Sequence, residues 1–487
     1  MIFSSYEFIF AFLPITYIIY FYLNHRRLTE ASKGFLVFSS LFFYSYWNIV
    51  YLPLILSSML FNYIIGNILA KQNKDTKKEF SKRSILTFGI TLNIILLGYF
   101  KYSDFFIENF NFFAGSNFEL LNLALPLAIS FFTFQQIAYL VDSYKQDTKE
   151  YDFLNYAIFV TFFPQLIAGP IVHHKEMLPQ FANVRNKVIN YKNVVSGIFI
   201  FNIGLFKKVV IADNISIWAN NGFDNSTILT FFEAWFTSLS YTFQLYFDFS
   251  GYADMAIGAA LIFNIILPIN FNSPYKAKDI QEFWRRWHIT LSKFLKDYIY
   301  IPLGGNQKGN FRTYNNLIAT FILGGIWHGA GWTFIFWGFL HGLALVVNRL
   351  WKKLGLRLNY VFAWFITFNF VNIGWVFFRA ENFSDAIKVL KGMFLFNGVM
   401  LPSFLEDKFA MDTSSLIFFG NLLKNLKGDI TTILILMICF VIIFLPNSNY
   451  YLQKVKSSVL SLLVVCILLY VSLYHLSSYS EFLYFNF

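Results

Sequence analysis

Long stretches of this sequence carry no charged side chain, among them residues 34–70, 120–141, 313–348, 358–378, 430–453 and 457–480. Each reaches or exceeds the roughly 20 residues with which a helix crosses a hydrocarbon core about 30 Å thick. Inside lipid every backbone polar group must be satisfied by the segment itself, so these stretches are expected to be helices. Composition agrees: 57% of residues are hydrophobic and 13% charged, against about 25% charged in soluble chains. The 21% aromatic content suits the headgroup belts of a bilayer. An ordinary water-soluble enzyme and a disordered chain are both excluded, and the expectation is an all-α polytopic membrane protein.

Basic segments set the expected orientation, because cytoplasmic loops carry the excess of Lys and Arg. One such link holds Arg26, Arg27 and Lys33; another holds Lys71, Lys74, Lys77, Lys78, Lys82 and Arg83. The apolar run between them is long enough for two crossings, which puts both links inside and the N-terminus outside. The N-terminus has neither a basic n-region nor a cleavage site, so the first apolar run is expected to remain as an anchor. Residues 153–172 are interrupted by Pro164, Gly169 and Pro170 and precede another basic segment. They read as a re-entrant passage, with a single crossing as the alternative. Residues 276–312 mix Lys and Arg with Trp, Phe and Tyr, as helices lying in the inner interface do. In all, about 11 transmembrane helices plus re-entrant and interfacial pieces are expected. They form a single membrane domain over 1–487, with a motif-bearing core over about 120–350 and C-terminal helices over 358–487.

Cys439 and Cys466 both lie in apolar runs, which argues against a disulfide framework or a thiolate metal site. Four of the seven histidines, His25, His173, His174 and His475, read as loop or packing residues, and His341 reads as structural. His328 differs. It lies in LGGIWHGAGW at 323–332, deep in a charge-free run, and an ionisable group at that depth usually faces a cavity or relay. Its neighbouring glycines, Gly325 among them, allow backbones or a substrate to approach, although a tightly packed crossing would use the same residues. His288, in FWRRWHITLS at 283–292, could equally belong to a headgroup anchor. Asp248 and Asp254, in QLYFDFSGYADM at 244–255, need partners such as Lys207 or Lys208 and read as charges that support the fold. There is no Walker A loop, HExxH, GxSxG or paired CxxC, so nucleotide hydrolysis, zinc proteolysis and a resident serine esterase are unsupported. The formal charge of +11 maps to loops of a membrane protein, and no nucleic-acid partner is expected.

Several runs together resemble the membrane-bound O-acyltransferases. They are LPLAISFFTFQQ at 125–136, FPQLIAGP at 163–170, residues 244–258, residues 283–292 continuing to DYIYIPLGG at 297–305, residues 323–332, and FVNIGWVFFR at 370–379. The least matched region is 402–427, which leaves a partner-docking loop there in doubt. The resemblance implies tilted helices around a central tunnel, with His328 as the catalytic histidine and His288 as the second one upstream, supported by Trp327. It is closest to the bacterial branch that passes acetyl groups outward for O-acetylation of peptidoglycan or alginate.

What this implies is an acyltransferase in the cell inner membrane, in contact with membrane lipid and carrying no permanent cofactor or metal. Acetyl-coenzyme A is its expected donor, with the phosphates held by Arg285, Arg286, Lys293 and Lys296. With no extracytoplasmic domain expected, the resemblance also implies a separate serine-dependent O-acetyltransferase outside as partner. D-alanyl transfer to teichoic acid is the alternative within acyl transfer. A transporter or flippase is the alternative outside it, although neither repeats nor paired intramembrane charges are evident.

Overall fold

A computed structural model describes residues 1–71, 76–146, 152–167, 169–403, 406, 417–454, 458–476 and 483. The helices, in chain order, begin with α1 (Leu13–His25), α2 (Thr29–Ser45), α3 (Leu52–Lys71), α4 (Thr76–Ala114), α5 (Ile129–Tyr144), α6 (Phe153–Thr161), α7 (Phe163–Leu166), α8 (His174–Ala182), α9 (Tyr191–Phe206) and α10 (Asp213–Asn220). They continue with α11 (Phe231–Ile262), α12 (Ile280–Arg286), α13 (Ile289–Leu295), α14 (Gly309–His328), α15 (Trp332–Lys353), α16 (Tyr360–Arg379) and α17 (Phe383–Met393). Two four-residue strands, β1 (Val399–Pro402) and β2 (Ile417–Gly420), pair in parallel before α18 (Ile430–Phe444), α19 (Ser448–Lys454) and α20 (Val459–His475). Of the weakly matched region 402–427, residues 404–405 and 407–416 lie outside the described residues.

The chain forms two interleaved units, one of Met1–Leu205, Tyr252–Ile269 and Leu452–Asn486, the other of Phe206–Gly251, Asn270–Tyr451 and Phe487. In the first, α9 meets the C-terminal part of α11 backbone to backbone. A Cβ on Gly197 would stand 2.7 Å from the Gly258 carbonyl oxygen, and one on Gly258 2.6 Å from that of Gly197. This unit also buries an amide cluster in which Asn93 Nδ2 donates to Asn62 Oδ1 at 2.7 Å and Ser58 Oγ donates to Gln136 Oε1 at 3.0 Å. A cavity of about 440 Å³ adjoins it, lined by Leu54, Ser58, Phe61, Leu92, Asn93 and Tyr99.

Against the eleven crossings expected, six helical spans among the described residues are long and apolar enough to cross a membrane: Glu7–His25, Ile49–Lys71, Ser81–Ala114, Tyr191–Asn225, Trp332–Lys353 and Tyr360–Arg379. Counting the pair α18 and α19, bent by 53° at a break that holds Pro446, makes seven. The difference has physical causes. Helices α2 and α5 have 17 and 16 residues, short of a straight crossing. Helix α11 has 32 residues, but Thr237, Ser238, Ser240, Thr242, Asp248 and Ser250 are buried on it. From 240 to 260 every residue is buried, so α11 is clothed by protein and can be polar where a lipid-facing helix cannot.

The interrupted run 153–172 is broken in the structure. Helix α6 ends after nine residues, Phe162 turns away at φ −47° and ψ 108°, and Pro164 opens the four-residue α7. Nine residues rise only about 14 Å, less than half of a hydrocarbon core. From Tyr156 through the end of α7 every side chain is buried, the condition under which non-helical backbone is tolerated at membrane depth.

Candidate active site

The second unit holds His288, His328 and His341. Asp279 caps α12, its Oδ1 accepting from Glu282 N at 2.9 Å, and the helix stops at Arg286. Trp287 is extended, and His288 then adopts a left-handed backbone, φ 42° and ψ 55°, from which α13 starts. A residue with a side chain rarely takes this conformation, and strain of about 1–3 kcal/mol of this kind collects at functional sites. The surroundings hold it. His288 is fully buried, its Nδ1 lies 3.1 Å from Asn270 Oδ1, and the Phe249 ring stands edge-on at 4.8 Å. Burial pushes its pKa down to about 3, so the ring is neutral.

His328 is the last residue of α14. Its ring, in a residue only 3% exposed, contacts Trp327 at 4.9 Å, Trp337 at 5.2 Å and Phe378 at 5.1 Å between centroids. Trp327 also lies 6.3 Å from His288, so this indole is flanked by both expected catalytic histidines. The hairpin of α14 and α15 explains the glycines. A Cβ on Gly325 would collide with the Phe334 carbonyl oxygen, and one on Gly342 would stand 2.8 Å from Ile318 Cα. At Gly325, then, the missing side chain admits backbone. His341, expected to be structural, sits one turn beyond Trp337 with its Nδ1 accepting from Trp284 Nε1 at 3.2 Å, inside a cluster with Trp375 and Phe370.

The expected donor-binding cations divide. Arg285, Lys293 and Lys296 are exposed. Arg286 is half-buried and engaged, its Nη2 lying 2.8 Å from Glu282 Oε1 and its Nη1 donating to the Asn272 carbonyl at 3.1 Å. Asp248 pairs with Lys208 at 3.1 Å, and Lys208 also reaches Asp213 at 2.5 Å, with both members of the first pair almost fully buried. Breaking a buried pair typically costs about 3–5 kcal/mol. Asp254 is buried on the part of α11 that belongs to the first unit. There too His174, read as packing, lies with Nδ1 3.4 Å from Asp142 Oδ2.

Sequence reasoning passed over Asn270. It ends the apolar run before the 270–276 turn, and the break between α18 and α19 clasps that turn. Lys276 Nζ donates to the Leu445 carbonyl at 2.8 Å, Asn447 Nδ2 to Asn272 Oδ1 at 2.7 Å and Asn449 Nδ2 to the Phe271 carbonyl at 2.8 Å. The available signal was an uncharged amide at the end of an apolar run, beside three more polar residues in INFNSPYK.

A buried histidine pair thus flanks one indole in a chain of apolar helices, and an imidazole is a group that can exchange a proton or act as a nucleophile. The family model of MBOAT, the membrane-bound O-acyltransferase family, matches residues 41–383. The chain belongs to this family and is an O-acyltransferase. It is 49% identical to a peptidoglycan O-acetyltransferase of Helicobacter pylori, over 100% of this chain and 98% of that one. It is 41% identical to the probable alginate O-acetylase AlgI of Pseudomonas aeruginosa, over 81% of this chain and 75% of that one. With the teichoic acid D-alanyltransferase of Streptococcus thermophilus it shares 27% identity, over 53% of this chain and 69% of that one.

Proposed function

We propose that this chain takes acetyl groups from cytoplasmic acetyl-coenzyme A and delivers them across the inner membrane for O-acetylation of peptidoglycan, through a separate serine-dependent transferase on the outer side. The observation that carries this reading is identity of 49% along the whole chain with a peptidoglycan O-acetyltransferase. Alginate ranks second at 41% over 81% of the chain.

The polyanionic end of the donor cannot enter hydrocarbon, but its thioester arm is slim enough to reach a buried ring. Arg285, Lys293 and Lys296 are the exposed cations suited to its phosphates by charge-assisted hydrogen bonds. Arg286 is committed to Glu282 and the Asn272 carbonyl. At the ring, His328 takes the proton of an acceptor hydroxyl as the oxygen attacks the thioester carbon, the C–S bond breaks and coenzyme A leaves as a thiol with that proton; alternatively its own nitrogen attacks, releases coenzyme A and passes the acetyl group to the hydroxyl in a second step. His288 supports it from the other side of Trp327. The basic links at 26–33 and 71–83 face the cytoplasm in this scheme, and the N-terminus lies outside.

His328→Ala is expected to leave the amount of protein in the membrane unchanged while wall-bound O-acetyl disappears, since general-base help is worth about 10²- to 10⁴-fold. Normal wall acetylation in that variant would sink the reading. Feeding isolated membranes labelled acetyl-coenzyme A and identifying the labelled product separates peptidoglycan from other glycans.

A further inference from the structure

We propose that Asn270 is a positioning residue that holds His288 with its proton on Nδ1, so that His288 meets the reacting groups through the lone pair of Nε2. The inference rests on the acyl-transfer reading and adds which atom of the second histidine works. Its basis is the orientation of one amide. Asn270 is 1% exposed, and its Oδ1 accepts from the Thr290 backbone N–H at 3.2 Å and from Thr290 Oγ1 at 2.9 Å. A backbone N–H can only donate, so the atom of Asn270 that faces it is the oxygen. That same oxygen lies 3.1 Å from His288 Nδ1. An oxygen without a hydrogen accepts, so Nδ1 must donate, and a neutral imidazole with hydrogen on Nδ1 has its lone pair on Nε2.

The backbone reinforces the arrangement. Ile289 N donates to the Asn270 carbonyl at 3.0 Å, so Asn270 holds the left-handed turn at His288 through both its backbone and its side chain. The 270–276 turn is in turn clasped by Lys276, Asn447 and Asn449. The consequence is chemical. A thioester oxygen, which gains negative charge during attack, needs a hydrogen-bond donor, and the Nε2 lone pair is not one. His288 is thereby assigned to receive a hydrogen bond or proton from the acceptor hydroxyl or from the second ring, and not to polarise the acyl group.

Ionisable groups on the neighbouring elements include Asp248 on α11, ion-paired with Lys208; Glu282, Arg285 and Arg286 on α12; Lys293 on α13; and His328 at the end of α14 beside Trp327. Against that background a charge placed at position 270 would act directly on Nδ1.

The test uses membranes holding full-length protein, labelled acetyl-coenzyme A and wall-bound label as readout. Asn270→Leu is expected to lower the maximal rate about 10- to 100-fold, the usual effect of removing a histidine's outer partner, without raising the KM for acetyl-coenzyme A. Asn270→Asp keeps both acceptor contacts and is expected to restore most of the rate. Its carboxylate favours the protonated imidazole, so the acid limb of its pH–rate profile should move to higher pH. A wild-type rate in Asn270→Leu, or an unmoved acid limb in Asn270→Asp, overturns the proposal. Absence of label with the unsubstituted protein instead refutes the acetyl-coenzyme A reading on which it rests.

Discussion

Among the basic residues of α12, sequence order says little about which one a ligand can use. Arg285 and Arg286 are adjacent, yet only Arg286 is spent on Glu282, one turn back. Arg285→Glu is therefore expected to raise the KM for acetyl-coenzyme A and leave membrane abundance intact. Arg286→Glu should lower abundance, because it sets two carboxylates four residues apart on one helix and forfeits the contact with Asn272. Immunoblots beside donor titrations distinguish the two, and an unchanged KM in Arg285→Glu would leave that residue a headgroup anchor. The same limit on legibility applies to the histidines. Depth in a charge-free run marked His328, and family resemblance marked His288. Nothing in the sequence announces a left-handed backbone at His288, since its hydrogen-bond partner there is Asn270, 18 positions earlier and meaningful only once the turn has formed.

For helices, the sequence was legible wherever hydropathy and lipid exposure coincide, as in α15 and α16, whose charge-free runs became spans. It was least legible in α11, where burial by protein replaces lipid and hydropathy loses its meaning. The break in 153–172 was readable because Pro and Gly disrupt helices for local reasons, whereas the α9–α11 contact depends on two glycines 61 positions apart and shows no local sign. That contact leaves no room for a methyl group on either side. Gly197→Leu is thus expected to destabilise the first unit by at least the 1–3 kcal/mol typical of overpacking, seen as an earlier loss of monodisperse protein on heating in detergent. The matching change at Gly34, where nothing lies within 4 Å of an added Cβ, should leave that transition in place.

At the level of the whole chain, composition together with the long charge-free runs sufficed for the membrane and the mainly helical class, because a 57% hydrophobic sequence has few other ways to bury itself. The division into units was hidden. It is not a cut in the sequence, since the first unit takes its segments from the start, middle and end of the chain. Tyr6 OH donates to the Leu473 carbonyl at 3.0 Å, joining residues 467 positions apart. Removing the residues after 451 is accordingly expected to deplete the protein from membranes, as measured by immunoblot, although every histidine of the candidate site is retained. A truncated chain that accumulated normally would show the last segment to be dispensable.

A bond between the sixth residue and a helix at the far end has an implication for biogenesis. The ribosome releases α1 into the bilayer long before α20 exists, so although the first residues can settle early on Phe43 of α2, the bond from Tyr6 is among the last to close. Until synthesis is nearly over, the Tyr6 hydroxyl has to do without the Leu473 carbonyl.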